Sequence, residues 1–220
     1  MYDTAVVDAF HNTAALSRAD LFPDGKLRPI TAISDAEIAA PGWVGSDWKS
    51  GTLLVAINPG GGGDKYRRNP TDDELYATFR AFRAAQDFNE RAKSLDKLSR
   101  TYMRVQQGHN IWRIVRPISE ATGECIDELA FINILPFRTR EDCLPSRPVM
   151  QNSWSKSAER QIRALKPTRI IALGRKAWDV MTRFELPTDA ELILFKRGIG
   201  DTYIPDESKA VLTKLAAART

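Results

Sequence analysis

The sequence predicts an α/β protein, a three-layer α/β/α domain built around a central four-stranded parallel sheet. Four short apolar runs are rich in β-branched or aromatic residues and are bounded by residues that break regular structure, at 53–57, 129–135, 170–173 and 192–195. Their hydrophobicity is continuous rather than alternating, which is typical of strands covered on both faces. Helical patterns separate the runs, and this alternation favours a layered α/β fold.

The first hundred residues contain two helical regions. Residues 1–50 are expected to form a helix at about 4–16 and then a loop-rich extension, whose Trp43 and Trp48 we expect to pack in the core. The segment 71–106 opens with Thr-Asp-Asp-Glu, a capping-box pattern, and continues with apolar residues at helical spacing. It is highly charged, so we expect it to bury one face only and to contain a break, and we interpret it as a helical insertion.

Shorter helices are predicted around the later strands. Apolar residues at 111–118 indicate a buried helix just before the second strand. The Asn-Ser pair at 152–153 suits a helix N-cap, and Pro167 ends that helix. Gly174 follows the third strand and precedes another helix, and the last helix is expected from about residue 206.

Composition limits the classes of function. The 220 residues contain no internal repeat or linker and fit one domain, 1–220, with a mildly basic net charge of +4. Cys125 and Cys143 are the two cysteines, and no His/Asp/Glu cluster has metal-ligand spacing, so we expect no metal and no cofactor. The residues near position 1 form a mixed polar segment, so we expect no signal peptide, and no apolar run reaches about 20 residues. We therefore expect a cytoplasmic protein without membrane contact. We also expect it to be a monomer.

The first predicted strand ends in a candidate ligand-binding loop. The apolar run reaches Asn58, and Pro59 and four glycines follow, so a ligand can approach the backbone closely. In open α/β sheets, ligands bind at the carboxyl ends of the strands. The glycine spacing fits neither a P-loop nor a dinucleotide fingerprint, which disfavours ATPases and NAD-dependent dehydrogenases. His11 and His109 both precede helical stretches, and we expect surface or capping residues there rather than catalytic bases.

Three segments carry a family resemblance. Residues 56–60 read Ala-Ile-Asn-Pro-Gly, residues 131–138 read Phe-Ile-Asn-Ile-Leu-Pro-Phe-Arg, and residues 161–177 combine a helix ending in Leu-Lys-Pro with the strand Ile-Ile-Ala-Leu-Gly. In this order they resemble the uracil-DNA glycosylase superfamily, and the first looks like the Gly-Ile-Asn-Pro-Gly motif of its mismatch-specific branch. The resemblance implies a DNA N-glycosylase that hydrolyses the N-glycosidic bond of uracil or another modified base.

The resemblance also implies roles for individual residues. Asn58 would orient the attacking water through its amide oxygen. Asn133 would read the N3–H and O4 edge of the base, because an amide offers both a donor and an acceptor. Gly60 would let the backbone approach the base, and Tyr66 is the candidate ring that stacks on it. Lys65, Arg67 and Arg68 would contact DNA phosphates.

The last family motif is absent from this chain. The family has His-Pro-Ser or Asn-Pro-Ser after the fourth strand, whereas residues 195–202 read Phe-Lys-Arg-Gly-Ile-Gly-Asp-Thr. We expect Arg197 to take the role of stabilising the base O2, because a cation suits a developing anion. Ile199, flanked by glycines, would be the apolar wedge in the minor groove. The four-cysteine iron–sulfur cluster of some branches is not expected.

Two other functions remain open on the sequence alone. One is a catalytically inactive protein of the same fold that binds nucleic acid, a nucleotide or a protein partner. The other is a hydrolase or transferase acting on another nucleoside or sugar-linked small molecule. The segment 71–106 would serve as a DNA-facing wall, a lid or a protein contact, and the sequence does not decide among these.

Overall fold

A single five-stranded sheet lies at the centre of the fold. The computed structural model describes residues 2–22, 38–60, 70–139, 144–198 and 201–219. The strands are β1 (Trp43–Val44), β2 (Thr52–Ala56), β3 (Ala130–Asn133), β4 (Arg169–Leu173) and β5 (Glu191–Phe195). Their spatial order is β1-β3-β2-β4-β5. The four predicted strands are confirmed as the parallel strands β2 to β5.

The prediction of a four-stranded, wholly parallel sheet misses β1. This strand pairs antiparallel with β3, and Trp43 lies opposite Phe131. The two rings stack with centroids 6.1 Å apart, and the indole Nε1 of Trp43 donates to Oε1 of Gln106 over 2.7 Å. A strand of two residues is too short to show a periodic pattern, so only its tertiary partners define it. Trp43 is fully buried, which confirms the expectation that it packs in the core.

The helices follow the predicted pattern with one correction. In the described ranges they are α1 (Thr4–Ala15), α2 (Arg18–Leu21), α3 (Pro70–Ala84), α4 (Phe88–Gln107), α5 (Trp112–Thr122), α6 (Arg147–Ser153), α7 (Glu159–Leu165), α8 (Arg175–Met181) and α9 (Asp206–Ala217). The expected break in the charged segment lies between α3 and α4, where the Asp87 side chain caps α4 by accepting from the backbone N–H of Glu90.

The N-cap predicted at Asn152 and Ser153 is wrong. The helical run begins at Arg147 as α6 and passes through a π-helical turn, Trp154–Ala158, into α7. The Ser153 hydroxyl donates to the backbone oxygen of Ile134 over 2.7 Å, so it fastens the helix to the end of β3 instead of capping a helix.

The chain connections divide the helices between two layers. Helices α3, α4 and α5 connect β2 to β3, its neighbour on one side in the sheet. Helices α6 and α7 then connect β3 to β4, which is the neighbour of β2 on its other side. Right-handed connections in opposite directions place their helices on opposite faces of the sheet. Helix α5 packs against α9, and α1 packs against α7. Because α1 also contacts α3 and α4, these two helices are not confined to the layer of α5. The result is the predicted three-layer α/β/α arrangement.

Segment 71–106, which we interpret as a helical insertion, contributes α3 and α4 to the core. Helices α3 and α4 pack against each other, and α4 also contacts β1. Their inward faces bury large side chains, including Phe79, Phe82, Leu95 and Leu98. None of the helices in the described ranges combines the length and the apolar composition that crossing a bilayer requires.

Candidate functional site

A cleft of about 1120 Å³ opens at the carboxyl ends of the four parallel strands. The direction of chain connection reverses between β2 and β4, and such a switch point is where open α/β sheets bind ligands. The cleft is lined by residues from every parallel strand end: Asn58 and Gly60 after β2, Asn133 on β3, Gly174 after β4, and Arg197 after β5. The structure thus brings together the predicted site residues Asn58, Gly60, Asn133 and Arg197.

Asn133 is a buried side chain whose polar atoms are unsatisfied. It is 1% exposed and pairs in register with Ala56 of β2. Among the described residues, neither its amide oxygen nor its amide nitrogen has a hydrogen-bond partner. Leaving a buried polar group unpaired costs about 1–3 kcal/mol. Such a side chain at the edge of a cleft is explained most directly by a ligand that completes its hydrogen bonds.

Tyr102 of α4 lies beside this asparagine and also lines the cleft. Burial raises the pKa of the Tyr102 hydroxyl, and the nearby Asn133 side chain opposes that shift through a loose polar contact that does not reach the geometry of a full hydrogen bond. The phenol is therefore neutral at physiological pH. Together with Phe131, its ring gives this end of the cleft an aromatic wall.

Asn58 is held in one orientation by the loop that follows β3. Its Nδ2 donates to Oγ1 of Thr139 over 3.0 Å, and Thr139 is buried. With the amide nitrogen engaged in this way, the amide oxygen is the group available for an incoming donor such as water. Pro59 and Gly60 continue the wall of the cleft beside it.

A buried ion pair supports the floor of the cleft. Arg138 donates from a terminal guanidinium nitrogen to Asp72 of α3 over 2.9 Å, and the side chains are 7% and 2% exposed. The guanidinium also lies over the Tyr76 ring, 5.2 Å from its centroid. This pair ties the end of β3 to α3, so the loop that carries Thr139 is anchored on the charged helical segment.

Arg197 is positioned by two neighbours. Its guanidinium pairs with Asp201 at 3.1 Å, and burial raises the pKa of the Asp201 carboxyl while Arg197 opposes that shift. The chain at Gly174 has φ +97°, and a Cβ there would lie 3.2 Å from Nε of Arg197. The glycine is needed both for its backbone conformation and for the space that Arg197 fills.

Helix α4 and the turn after it form the wall that faces the strand ends. Tyr102, Val105, Gln106 and His109 line the cleft from this side. Residues of segment 71–106 therefore line one wall of the cleft. Its roles as a DNA-facing wall, a lid or a protein contact stay predictions. His109 is half-buried in the turn between α4 and α5 and lines the cleft. The expectation of a surface or capping residue is wrong for His11, which is 8% exposed and lies within α1, because the packing of α1 against α3 and α4 buries it.

Cations outnumber carboxylates around the cleft. Besides Arg138 and Arg197, the lining includes three cations that the sequence did not single out, and these are Arg175, Lys176 and Lys196. Among the described residues, Asp72 and Asp201 are the acidic residues that line the cleft. Within the described ranges, no group of three His, Cys, Asp or Glu residues could hold a metal ion.

Five predicted site residues lie outside the described residues. They are Tyr66, Lys65, Arg67 and Arg68, which follow Gly60, and Ile199, which follows Gly198. Both neighbouring glycines line the cleft. The proposed stacking, phosphate-binding and wedge roles of these five residues stay predictions.

No model of a protein family matches the chain, and no curated protein matches it. The function is therefore inferred from the fold, the cleft and the side chains that meet there.

Proposed function

We propose that the protein is a DNA N-glycosylase that hydrolyses the N-glycosidic bond of uracil or another modified base. The observation that carries the proposal is the convergence of Asn58, Asn133 and Arg197 on one cleft at the strand ends. These residues come from three separate chain segments, and the sequence resemblance gives each a different role in the same reaction.

Base recognition would depend on Asn133. A glycosylase must take the nucleotide out of the stack and hold its base by the Watson–Crick edge. The amide of Asn133 offers one acceptor and two donor hydrogens, and these complement an N–H flanked by a carbonyl oxygen. Its buried, unsatisfied atoms support this role, because a bound base would supply the missing hydrogen bonds.

Water attack would depend on Asn58. Its amide oxygen would accept a hydrogen bond from the water that attacks the sugar C1′, while Thr139 fixes the amide nitrogen. An amide is too weak a base to remove a proton, so this residue orients the water without ionising it. As the C1′–N bond breaks, its electron pair passes to the base, and the proton released by the water finally neutralises that base.

Arg197 would stabilise the departing base. Negative charge develops on the base oxygens as the bond breaks, and a guanidinium fixed beside them stabilises that charge. The cationic side chains Arg175, Lys176 and Lys196 at the same cleft support a polyanionic substrate, because such groups bind phosphates without reading sequence.

One observation favours a second function, binding without cleavage. Arg197 is already paired with Asp201, and this carboxylate offsets the positive charge that would face the leaving base. A protein of this kind would bind nucleic acid, a nucleotide or a protein partner through the same cleft. The absent His-Pro-Ser motif is consistent with that alternative.

The decisive experiment is a base-release assay. The protein is incubated with single-stranded and mismatched oligonucleotides containing uracil, and alkaline cleavage then reveals abasic sites. We expect strand cleavage by the wild type, loss of it in Asn58→Ala, and wild-type cleavage in the control Asn89→Ala, which changes an exposed asparagine on α4.

Each other result has a defined meaning. Cleavage no greater than that of Asn58→Ala on any substrate would eliminate the glycosylase proposal. DNA binding that weakens steeply with salt, without base release, would establish the binding function instead.

A further inference from the structure

Gln106 is a buried amide on the α4 wall of the cleft that the proposed reaction does not use. It lines the cleft and is 6% exposed. Its Oε1 accepts the indole N–H of Trp43 over 2.7 Å. Within the described ranges, no hydrogen bond holds its Nε2 atom, and this atom is not closed off from solvent. Gln106 therefore has an unused donor group at the wall of the cleft.

Trp43 gives the Gln106 amide one orientation. An indole nitrogen only donates, so it requires the oxygen end of an amide as its partner. Turning the amide over would set two donors against each other beside a fully buried ring, and a buried unpaired donor is costly. The indole cannot move away easily, because it stacks on Phe131 of β3 with ring centroids 6.1 Å apart. The amide nitrogen of Gln106 is thus fixed as the end that is left for a ligand.

Gln106 lies over the same face of β3 as Asn133. Phe131 and Asn133 are two residues apart on this strand, so their side chains point to the same side of the sheet. The Phe131 ring contacts both Trp43 and Tyr102. Tyr102 and Gln106 are four residues apart on α4 and therefore share one face of that helix. The two amides, Gln106 and Asn133, consequently meet the same part of the cleft.

Asn133 alone does not determine which bases fit. In the described part of the chain, neither its amide oxygen nor its amide nitrogen has a hydrogen-bond partner. One orientation of this amide complements a ring N–H beside a carbonyl oxygen, as in uracil. The opposite orientation complements an unprotonated ring nitrogen beside an amino group, as in cytosine. A rotation of the amide by 180° therefore exchanges one class of base for the other.

We propose that Gln106 makes the cleft selective for keto bases, because its Nε2 donates to the base carbonyl oxygen on the edge that Asn133 reads. A carbonyl oxygen has two lone pairs and accepts from both amides, whereas an amino group at that position would face the Gln106 donor with another donor. Gln106 is the specificity-determining residue, and Trp43 is a positioning residue that acts through it. The inference rests on the proposed function for the nature of the ligand, a nucleobase.

The first test uses the wild-type protein and free bases. The side-chain amide resonances are followed by NMR during titration with uracil and, separately, with cytosine, and Gln106→Leu assigns the Gln106 signal by its loss. We expect uracil to move the Nε2 resonance of Gln106 and to bind about tenfold or more tightly than cytosine. Gln107, the exposed last residue of α4, is the internal control, and its amide signal should not move.

The second test releases the Gln106 amide without changing Gln106. Trp43→Phe keeps an aromatic ring against Phe131 and removes the indole N–H, so the amide can turn over. We expect the ratio of uracil affinity to cytosine affinity to fall about five- to tenfold. Trp48→Phe is the matched control, because it removes an indole hydrogen bond to the Leu165 carbonyl, 3.2 Å long, from a residue that does not line the cleft. It should keep the wild-type ratio.

A third variant reverses the proposed readout. Gln106→Glu keeps an oxygen for the indole N–H of Trp43 and replaces the amide donor with an acceptor. We expect weaker binding of uracil and a preference for cytosine, whose amino group would now find an acceptor. A loss of packing alone would weaken the binding of both bases alike, so the direction of the change separates specificity from stability.

Three results would overturn the inference. They are equal affinity of the wild type for uracil and cytosine, a Gln106 resonance that uracil does not move, and a wild-type affinity ratio in Trp43→Phe. The first two are measured on the wild type and decide the matter even if a variant does not fold. A shift of Gln106 with uracil but not with cytosine, without base release from oligonucleotides, would support the inference and reject the glycosylase reaction. Release of uracil without that shift would do the reverse.

Discussion

The amide nitrogen of Asn58 donates to the hydroxyl oxygen of Thr139 over 3.0 Å, across the gap between the loops that follow β2 and β3. This bond joins the residue proposed to orient water with a buried threonine on the neighbouring strand end. Because the amide cannot rotate without losing the bond, its oxygen keeps one direction. A single substitution that removes the Asn58–Thr139 bond should therefore disturb the geometry of the proposed reaction.

Thr139→Val removes the acceptor and preserves the shape of the side chain. We expect the rate constant for base release to fall about tenfold, which corresponds to about 1.4 kcal/mol, near the contribution of one hydrogen bond. DNA affinity should change little, since Asn58 acts on water rather than on the DNA backbone. Single-turnover rates and DNA titrations measure the two effects separately.

Thr139→Ser is the matched control, because it keeps the hydroxyl and removes only a methyl group. It should retain most of the wild-type rate. Equal rates for the valine and serine variants would mean that the Asn58–Thr139 bond does not position the water.

The ion pair between Arg138 and Asp72 predicts a large effect on stability. With side chains only 7% and 2% exposed, the removal of one charge breaks an ion pair whose other member stays buried. We expect Asp72→Asn to lower the free energy of unfolding by about 3–5 kcal/mol. Urea unfolding of the purified variant measures this loss.

An exposed pair of the same chemistry provides the comparison. Arg163 and Glu159 lie one turn apart on α7 and are 67% and 29% exposed. Glu159→Gln should cost no more than about 0.5 kcal/mol, because exposed pairs on helices contribute little. If Asp72→Asn costs as little, burial of the cleft pair contributes nothing to stability.

The sequence predicted the part of the site that strands carry. Parallel strands place their carboxyl ends on one edge of the sheet, so residues that follow them must meet. The in-register pairing of Ala56 with Asn133 shows this directly, since it sets Asn133 beside the strand that leads to Asn58. For residues that follow parallel strands, the fold class is enough to predict that they lie close to one another.

The site residues that lie on helices, or on turns next to them, could not be predicted from the strand order. His109 follows α4 by two residues, and which wall that turn reaches depends on how α4 packs against α1, α3 and β1. Asp72 belongs to the Thr-Asp-Asp-Glu pattern that predicts a capping box, but its carboxylate pairs with Arg138 across 66 positions of sequence. No local pattern encodes such partners, because they follow from tertiary packing.

His11 predicts a pH dependence of stability. It lies on α1 in edge-to-face contact with Phe82, with ring centroids 5.4 Å apart, and is 8% exposed. Burial and the nearby Arg91 lower the pKa of His11, so the folded protein favours the neutral ring. The unfolded chain, with a histidine pKa of about 6.5, then binds the proton more readily. Stability should be fully present above about pH 6.5 and decline as the pH falls towards the lower pKa of the folded state.

The variant His11→Phe tests this origin, because it keeps an aromatic ring against Phe82 and removes the titrating group. We expect the free energy of unfolding of the wild type to decrease between about pH 7.5 and pH 5, with a smaller decrease in the variant. Urea unfolding at a series of pH values gives both slopes. Identical slopes would assign the effect to other groups.

Gly174 and Gly60 both line the cleft, but only Gly60 has room for an added methyl group. Gly174 has φ +97°, and an added Cβ would lie 3.2 Å from Arg197, whereas a Cβ at Gly60 would have no atom of the described residues within 4 Å. We expect Gly174→Ala to lower the free energy of unfolding by at least about 1 kcal/mol, because alanine is strained at a positive φ. Gly60→Ala should leave stability within about 0.5 kcal/mol of the wild type. Urea unfolding measures both.

Gly60→Ala then reports on what occupies the space beside Gly60 during binding. If the base approaches the Gly60 backbone as the sequence predicts, the added methyl group occupies part of its position. We expect weaker binding of substrate DNA and slower base release in a protein of normal stability, whereas Asn89→Ala on the exposed face of α4 should change neither. Wild-type binding and release by Gly60→Ala would show that the ligand does not reach Gly60, and the base would then have to lie nearer to the α4 wall and His109.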